Sequence, residues 1–385
     1  MKITTSLVMI LLILSVSDHL HSQNVSTIVP GPSTFDDALA MDDAGNIFAS
    51  RYVGNTVTKI TPQGSTSIFV SGISTPNGSD FGPDGYLYVT SNVSNGKIFK
   101  VSPSGVSETF IQGIPYPSMV LFRSDGKMYI SSYQTDAIYL ADLSGAYSVL
   151  YSGNGMNDPV GLAFDEYENL IIADFTDGKI FIVDSAGVFT QITQIPAIVG
   201  FIAYANGYIY STGYNTNKIY KTSLTGQTTV FAGTGSAGQN NGNALTATFN
   251  APNGIIASKG GDSLFISDFN ARSLRLITGV TSGVINISSA IPSEFHLGQN
   301  YPNPFNPVTK INFDIFPENL YGKNKLVKLS VYNAIGKEIA LLINEELSPG
   351  KYEVSFNGEG YSSGIYFYTL TAGDYRETKS MTILK

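Results

Sequence analysis

Apolar and polar residues alternate along most of this chain with a period of two. That is the pattern of strands with one packed face and one wetter face. One phrase recurs, a turn of Asp, Asn or Gly followed by an alternating apolar stretch. Its copies are DDAGNIFAS (42–50), GPDGYLYVTS (82–91), RSDGKMYISS (123–132), DEYENLIIAD (165–174), YANGYIYSTG (204–213) and KGGDSLFISD (259–268). Aligned on Asn46, Tyr86, Lys127, Asn169, Tyr208 and Ser263, they are spaced by 40, 41, 42, 39 and 55 residues. A second strand phrase follows, as in NGKIFKVSPSG (95–105) and DGKIFIVDSAG (177–187). A third closes each unit, as in STSIFVSG (65–72). With the strand that leads in, such as DPVGLAF (158–164), each unit holds four short strands.

A repeat of about 40 residues with four strands predicts one blade of a β-propeller. The expected fold class is all-β: a six-bladed β-propeller over 23–280, then a small immunoglobulin-like β-sandwich. Tyr88, Tyr129, Ile171, Tyr210 and Phe265 share one equivalent position and are expected to pack between blades. The sixth unit ends at SLRLITG (273–279) without an outer strand of its own. The segment VSTIVPG (25–31) fits the missing place. Its donation would close the ring and leave no open edge there.

The two ends differ from the body. Lys2 precedes an apolar run, LVMILLILSV (7–16), and polar residues follow to Gln23. This order predicts a signal peptide over 1–22, too short in its apolar part to anchor in a bilayer. Residues 281–293 read as a linker. From 294 to 385 prolines and asparagines come first (GQNYPNPFNP, 298–307), then alternating strands near 310–315, 327–332, 351–356, 364–371 and 377–384.

Composition narrows the chemistry. Charged residues are only 14% and the net charge is -8, so nucleic acid is not an expected partner. There is no cysteine, and the three histidines, His19, His21 and His296, all lie outside the repeat body. Without Cys or His the body has no thiolate site, no Ser-His-Asp triad and no imidazole base. Adjacent carboxylates at Asp36-Asp37, Asp42-Asp43 and Asp165-Glu166 could in principle serve a glycosidase, but their turn context predicts solvated turn residues. GTGSAG (233–238) lacks the Lys-Ser/Thr and helix that a phosphate loop needs.

Counting back from each turn places Asp37, Asn77, Ser118, Val160, Val199 and Asn253 at the channel mouth. Asp37, Asn77 and Asn253, from blades 1, 2 and 6, could hold a hard cation such as Ca²⁺. The alternative is that Asn77 and Asn253, both in Pro-Asn-Gly, are turn residues. Tyr52, Tyr133 and Tyr214 follow equivalent strands and could form an aromatic ligand surface or pack between blades.

Two resemblances add to this. The stretch FAGTGSAGQNNGNALTATFNAPNGIIAS (231–258) with DFNARSLRLI (268–277) resembles NHL-repeat propellers, over about residues 24–280. Such propellers include binding modules, lyases and lactonases. The lyases use histidines that this body lacks. The gluconolactonase-type lactonases hold a metal with Glu, Asn and Asp, and their Glu-Gly-Pro opening is replaced here by Phe35-Asp36-Asp37. QNYPNPFNP (299–307), VKLSVYNAIGKEIALLI (327–343), SPGKYEVSF (348–356), SSGIYFYTLTAGDY (362–375) and KSMTILK (379–385) closely resemble the type A C-terminal sorting domain of the type IX secretion system. That resemblance implies the type IX outer-membrane translocon and its sorting peptidase as partners. It also implies a secreted or cell-surface protein with no transmembrane anchor in the mature chain.

The expected function is therefore an exported propeller that binds or scaffolds an extracellular glycan, peptide or polymer, with no cofactor. The alternative is a metal-dependent hydrolase of the lactonase type at the channel mouth. The export reading has a direct check. A reporter fused to residues 294–385 should pass the outer membrane of a host with type IX secretion, and retention in the periplasm would refute it.

Overall fold

A computed structural model describes residues 23–385 except 166, 281–283, 289–290, 318–324, 348 and 359–360. The signal-peptide reading of 1–22 lies outside the described residues. Strands dominate, and among the described residues no helix is long and apolar enough to cross a membrane.

The repeats fold into six antiparallel sheets, each ordered from the channel outward. Blade 1 shows the unit: Leu39–Met41 innermost, then Ile47–Ser50, Thr56–Ile60 and Thr66–Ser71. Blades 2 to 5 repeat it over 76–114, 117–152, 159–194 and 199–232. Alternation turns one face of each sheet toward its neighbour, and aromatic rings fill the wedge. Phe48 meets Phe69 of its own blade at 4.8 Å and Phe81 of the next at 5.1 Å, edge to face. Tyr88 repeats this with Phe110 and Phe122 at 5.1 and 5.0 Å. Tyr88, Tyr129, Ile171 and Tyr210 are buried, as their shared position predicts, while Phe265 is only half-buried.

Blade 6 closes the ring. Pro252–Ala257, Ser263–Asp268 and Ser273–Thr278 supply three strands, and Asn24–Val29 supplies the fourth. The donated strand runs antiparallel to Ser273–Thr278, with Asn24 opposite Thr278. Its outer edge is covered by Gly242–Asn243 from the long loop between blades 5 and 6. Arg275 secures this loop from a fully buried position. Its guanidinium donates to Thr248 O (2.8 Å), Asn240 O (3.1 Å) and Asn241 Oδ1 (2.9 Å), and lies over the Phe249 ring. Asp268 balances the charge at 3.3 Å. Arg275 thus adds to the backbone bonds that order the glycine-spaced loop, such as Gly238 N–H to Phe249 O at 2.9 Å, and gives the Thr248 carbonyl a charged donor.

The C-terminal part forms two four-stranded sheets packed face to face. One contains Val284–Ser288, Gly350–Asn357, Val308–Ile315 and His296–Leu297. The other contains Glu338–Leu347, Lys325–Tyr332, Gly364–Ala372 and Tyr375–Ile383. Inward residues such as Phe313, Leu329, Val354 and Leu370 make its core. The segment 281–293, expected as linker, contributes Val284–Ser288 to this sheet, paired antiparallel with Gly350–Asn357. The long strand Glu338–Leu347 was also not foreseen.

Candidate functional site: the channel mouth

Two columns of residues build the mouth. Start each blade's second strand at Ile47, Leu87, Met128, Leu170, Ile209 or Leu264. Three places on stand Ser50, Thr90, Ser131, Ala173, Thr212 and Ser267. All are buried, and each hydroxyl crosses to the innermost strand of the next blade. Ser50 donates to Asn77 O at 2.6 Å, Thr90 to Ser118 O at 3.1 Å and Ser131 to Val160 O at 2.8 Å. Thr212 donates to Asn253 O at 2.7 Å and Ser267 to Asp37 O at 2.5 Å. Ala173 interrupts the series. The acceptors are the channel-mouth residues themselves, so these bonds set where each mouth side chain stands.

Five places on stand Tyr52, Asn92, Tyr133, Phe175, Tyr214 and Phe269. All six surround one cavity of about 220 Å³, together with Asp37, Asn77, Ser118, Val160, Phe201 and Asn253. The two residue sets singled out in the sequence therefore meet at one place. The three tyrosines are half-buried rather than exposed, and two of them stand in a run of ring contacts. Tyr133 packs on Phe175 at 5.7 Å, Phe175 on Tyr214 at 6.4 Å and Tyr214 on Phe269 at 5.6 Å. Sequence reasoning missed Phe175, Phe269 and Asn92. A search by strand register instead of by residue type would have found them.

Three other expectations change. Val199 does not line the mouth. The pairing of Ile202 with Ser211, equivalent to Ser79 with Val89, puts Gly200 at the position of Asn77. A Cβ at Gly200 would lie 2.2 Å from Asn253 Oδ1, so glycine leaves room for that amide. Asn77 and Asn253 sit within strands Pro76–Phe81 and Pro252–Ala257, not in turns. Asp36 and Asp37 are buried, not solvated. Asp42, by contrast, is a turn residue, accepting from the backbone N–H of Ala44 and Asn46.

The mouth has two sides. Blades 4 and 5 present Val160, Phe175, Phe201 and Tyr214. Blades 6, 1 and 2 present Asn253, Asp37, Asn77 and Asn92. Asp36 accepts from the Tyr52 N–H at 2.6 Å and so positions that ring's backbone. Asp37 Oδ1 accepts from Asn253 Nδ2. Burial, and then the adjacent Asp36 carboxyl, push the Asp37 pKa well above the ordinary carboxylate range. Asn77 Oδ1 and Asn253 Oδ1 are buried without a hydrogen-bond partner. As a hard-cation site the set is thin. It brings one carboxylate, and Asn253 turns its nitrogen, not its oxygen, to that carboxylate. Among the described residues no group of three or more His, Cys, Asp or Glu could hold a metal ion.

The propeller's ends lie away from the mouth. Ser273–Thr278 starts beside Phe269 at the mouth and runs outward to the opposite face. Its pairing with Asn24 puts both ends of the propeller there. The C-terminal sandwich touches that face, where Asn357 Nδ2 donates to Lys259 O at 3.4 Å and Lys310 Nζ meets the Tyr167 hydroxyl.

Comparison with known proteins agrees with this architecture. Residues 299–384 match the secretion system C-terminal sorting domain. The chain is thus a secreted or cell-surface protein that carries the mark of the type IX secretion machinery. No curated protein matches the chain. Among solved structures, it resembles an auxiliary nutrient binding protein from Bacteroides thetaiotaomicron (15% identity, 66% of this chain, 76% of that one, TM-score 0.59). It also resembles a gluconolactonase from Xanthomonas campestris (12% identity, 66% and 89%, TM-score 0.55). A third is virginiamycin B lyase from Staphylococcus aureus (16% identity, 66% and 99%, TM-score 0.51). Identities this low show a shared propeller fold alone.

One carboxylate beside the mouth makes a pH prediction. Asp174 is fully buried, follows Ala173 and holds the Asn157 N–H at 2.8 Å, fixing the loop into blade 4. Burial, the largest cause, raises its pKa from 3.8 to about 7. The folded state therefore holds the proton more tightly than the unfolded one. Its stabilising effect is full below about pH 4 and is lost as pH rises toward 7. Asp174→Asn should flatten the pH dependence of stability and raise stability near pH 8 by on the order of 1–4 kcal/mol in urea unfolding. A variant less stable than the parent near pH 8 would contradict this assignment.

Proposed function

We propose that the exported propeller is a ligand-binding protein and that its mouth receives one ring-sized group of an extracellular glycan or peptide. The observation that carries this is the aromatic collar, Tyr52, Tyr133, Phe175, Tyr214 and Phe269, standing over buried polar side chains in one cavity. Aromatic faces take an apolar ring face, and a few placed polar groups fix its orientation. At about 220 Å³ the cavity is smaller than the ~300–1,000 Å³ usual for ligand pockets, so it suits the end of a ligand rather than its length.

Catalysis has less support. The body holds no His or Cys, and the buried Asp37 lacks a second carboxylate across the cavity with which to share acid–base work. A resident Ca²⁺ has little support too, since a single carboxylate lines the cavity and Asn253 turns its nitrogen to it. Placement of the propeller's two ends and the sandwich on the opposite face favours display, because the mouth stays open while the other face carries the tail.

A glycan and peptide array probed with the full chain tests the proposal. Tyr214→Ala and Phe175→Ala should each weaken any captured ligand by roughly ten-fold, about 1.4 kcal/mol. A ligand held equally by both variants would place binding elsewhere and refute the mouth.

A further inference from the structure

We infer that the mouth takes the ammonium end of a small organic cation, a primary amine carried on a ring-sized apolar body. This rests on the binding role proposed above and names the ligand chemistry for it. The first observation is a buried carboxyl without a cation. Asp37 is 1% exposed, and among the described residues no Lys, Arg or His forms an ion pair with it. Its carboxylate accepts from the Asn253 amide and from the Ala38 N–H, both neutral donors. A buried carboxylate is costly unless a positive charge meets it, and no side chain among the described residues brings one to Asp37.

The second observation is an excess of acceptors. Asn77 and Asn253, 7% and 8% exposed, line the same cavity, and neither amide oxygen has a partner. An ammonium group brings three N–H donors and no acceptor. The Asp37 carboxylate and the unpartnered Asn77 amide oxygen offer acceptors to such a group, while Asn253 stays bound to Asp37 through its nitrogen. A neutral sugar hydroxyl would bring lone pairs to a floor already rich in them.

The third is the wall. Phe175, Tyr214 and Phe269 line the same cavity as Asp37 and Asn77. Ring quadrupoles attract cations at distances up to about 6 Å, most strongly where water is excluded. A compact divalent ion would lose too much hydration among these rings, whereas an alkylammonium keeps its apolar body in contact with them. The net charge of -8 favours the approach of cations.

Isothermal titration of the full chain with tyramine, N-acetyltyramine and glucose tests this. Tyramine should bind at least about ten-fold more tightly than N-acetyltyramine. Asp37→Asn should erase that difference and keep the weak N-acetyltyramine binding. The comparison of the two ligands on the native chain needs no variant, so a poorly folded Asp37→Asn does not leave the question open. Equal affinity for both, or binding of glucose alone, overturns the cation and leaves the mouth in place as the site. Binding of all three unchanged by Tyr214→Ala overturns the mouth as well. A peptide with an amino-terminal tyrosine, its acetylated form and glucosamine then separate the sources. Preference for the free peptide terminus marks a peptide, and preference for glucosamine marks an amino sugar.

Discussion

The structure depends on one repeated hydrogen bond, from a Ser or Thr hydroxyl on the second strand of a blade to a backbone carbonyl on the innermost strand of the next. Sheets in a propeller share no ladder, so hydrophobic packing alone would leave their radial position loosely set. A buried hydroxyl that must be satisfied removes this freedom. Ser50, Thr90, Ser131, Thr212 and Ser267 each make the bond. At Ser131 and Ser267 the hydroxyl also accepts from Met119 N and Gly254 N, which ties both strands of the blade to one oxygen. Close approach needs small residues, and a Cβ at Gly254 would lie 2.4 Å from Asp37 O.

Function follows from the same bonds. Their acceptors are the residues whose side chains floor the mouth, so the geometry of Asp37, Asn77 and Asn253 is set by the closure of the ring. The single break falls between blades 4 and 5, where Ala173 offers no hydroxyl and Gly200 no side chain. That is the side on which Phe175, Phe201 and Tyr214 take over the lining. On the other side Asn253, Asp37 and Asn77 bring polar side chains to the same cavity. Ring closure by Asn24–Val29 also has a directional result, since it leaves both propeller ends and the exported tail on the far face.

Much of this was legible in the chain. Alternation and the roughly 40-residue spacing specified the blades, and counting from turns found Asp37, Asn77 and Asn253. Blade 5 was misplaced by one residue because Ile198-Val199-Gly200 lacks the proline that marks the same point at Pro76, Pro117, Pro159 and Pro252. The burial of Asp36 and Asp37 could not be read, because adjacent acids near glycine and proline have the local character of a loop. Their environment is created by Asn253 and Tyr52, at distances along the chain that no local pattern records. The hydroxyl column was visible as Ser or Thr at one register, but nothing in one strand says what lies across the gap. The strand at 284–288 was hidden by its shortness and polar neighbours.

Amide hydrogen exchange on the full chain and on Ser50→Ala isolates the effect of one such hydroxyl bond on the mouth. Faster exchange should be confined to the innermost strand of blade 2, residues 76–81, and to the mouth residues beside it, with the outer strands of both blades unchanged. Protection lost evenly across blades 1 and 2, or not lost at all, would contradict the claim that these hydroxyl bonds position the mouth.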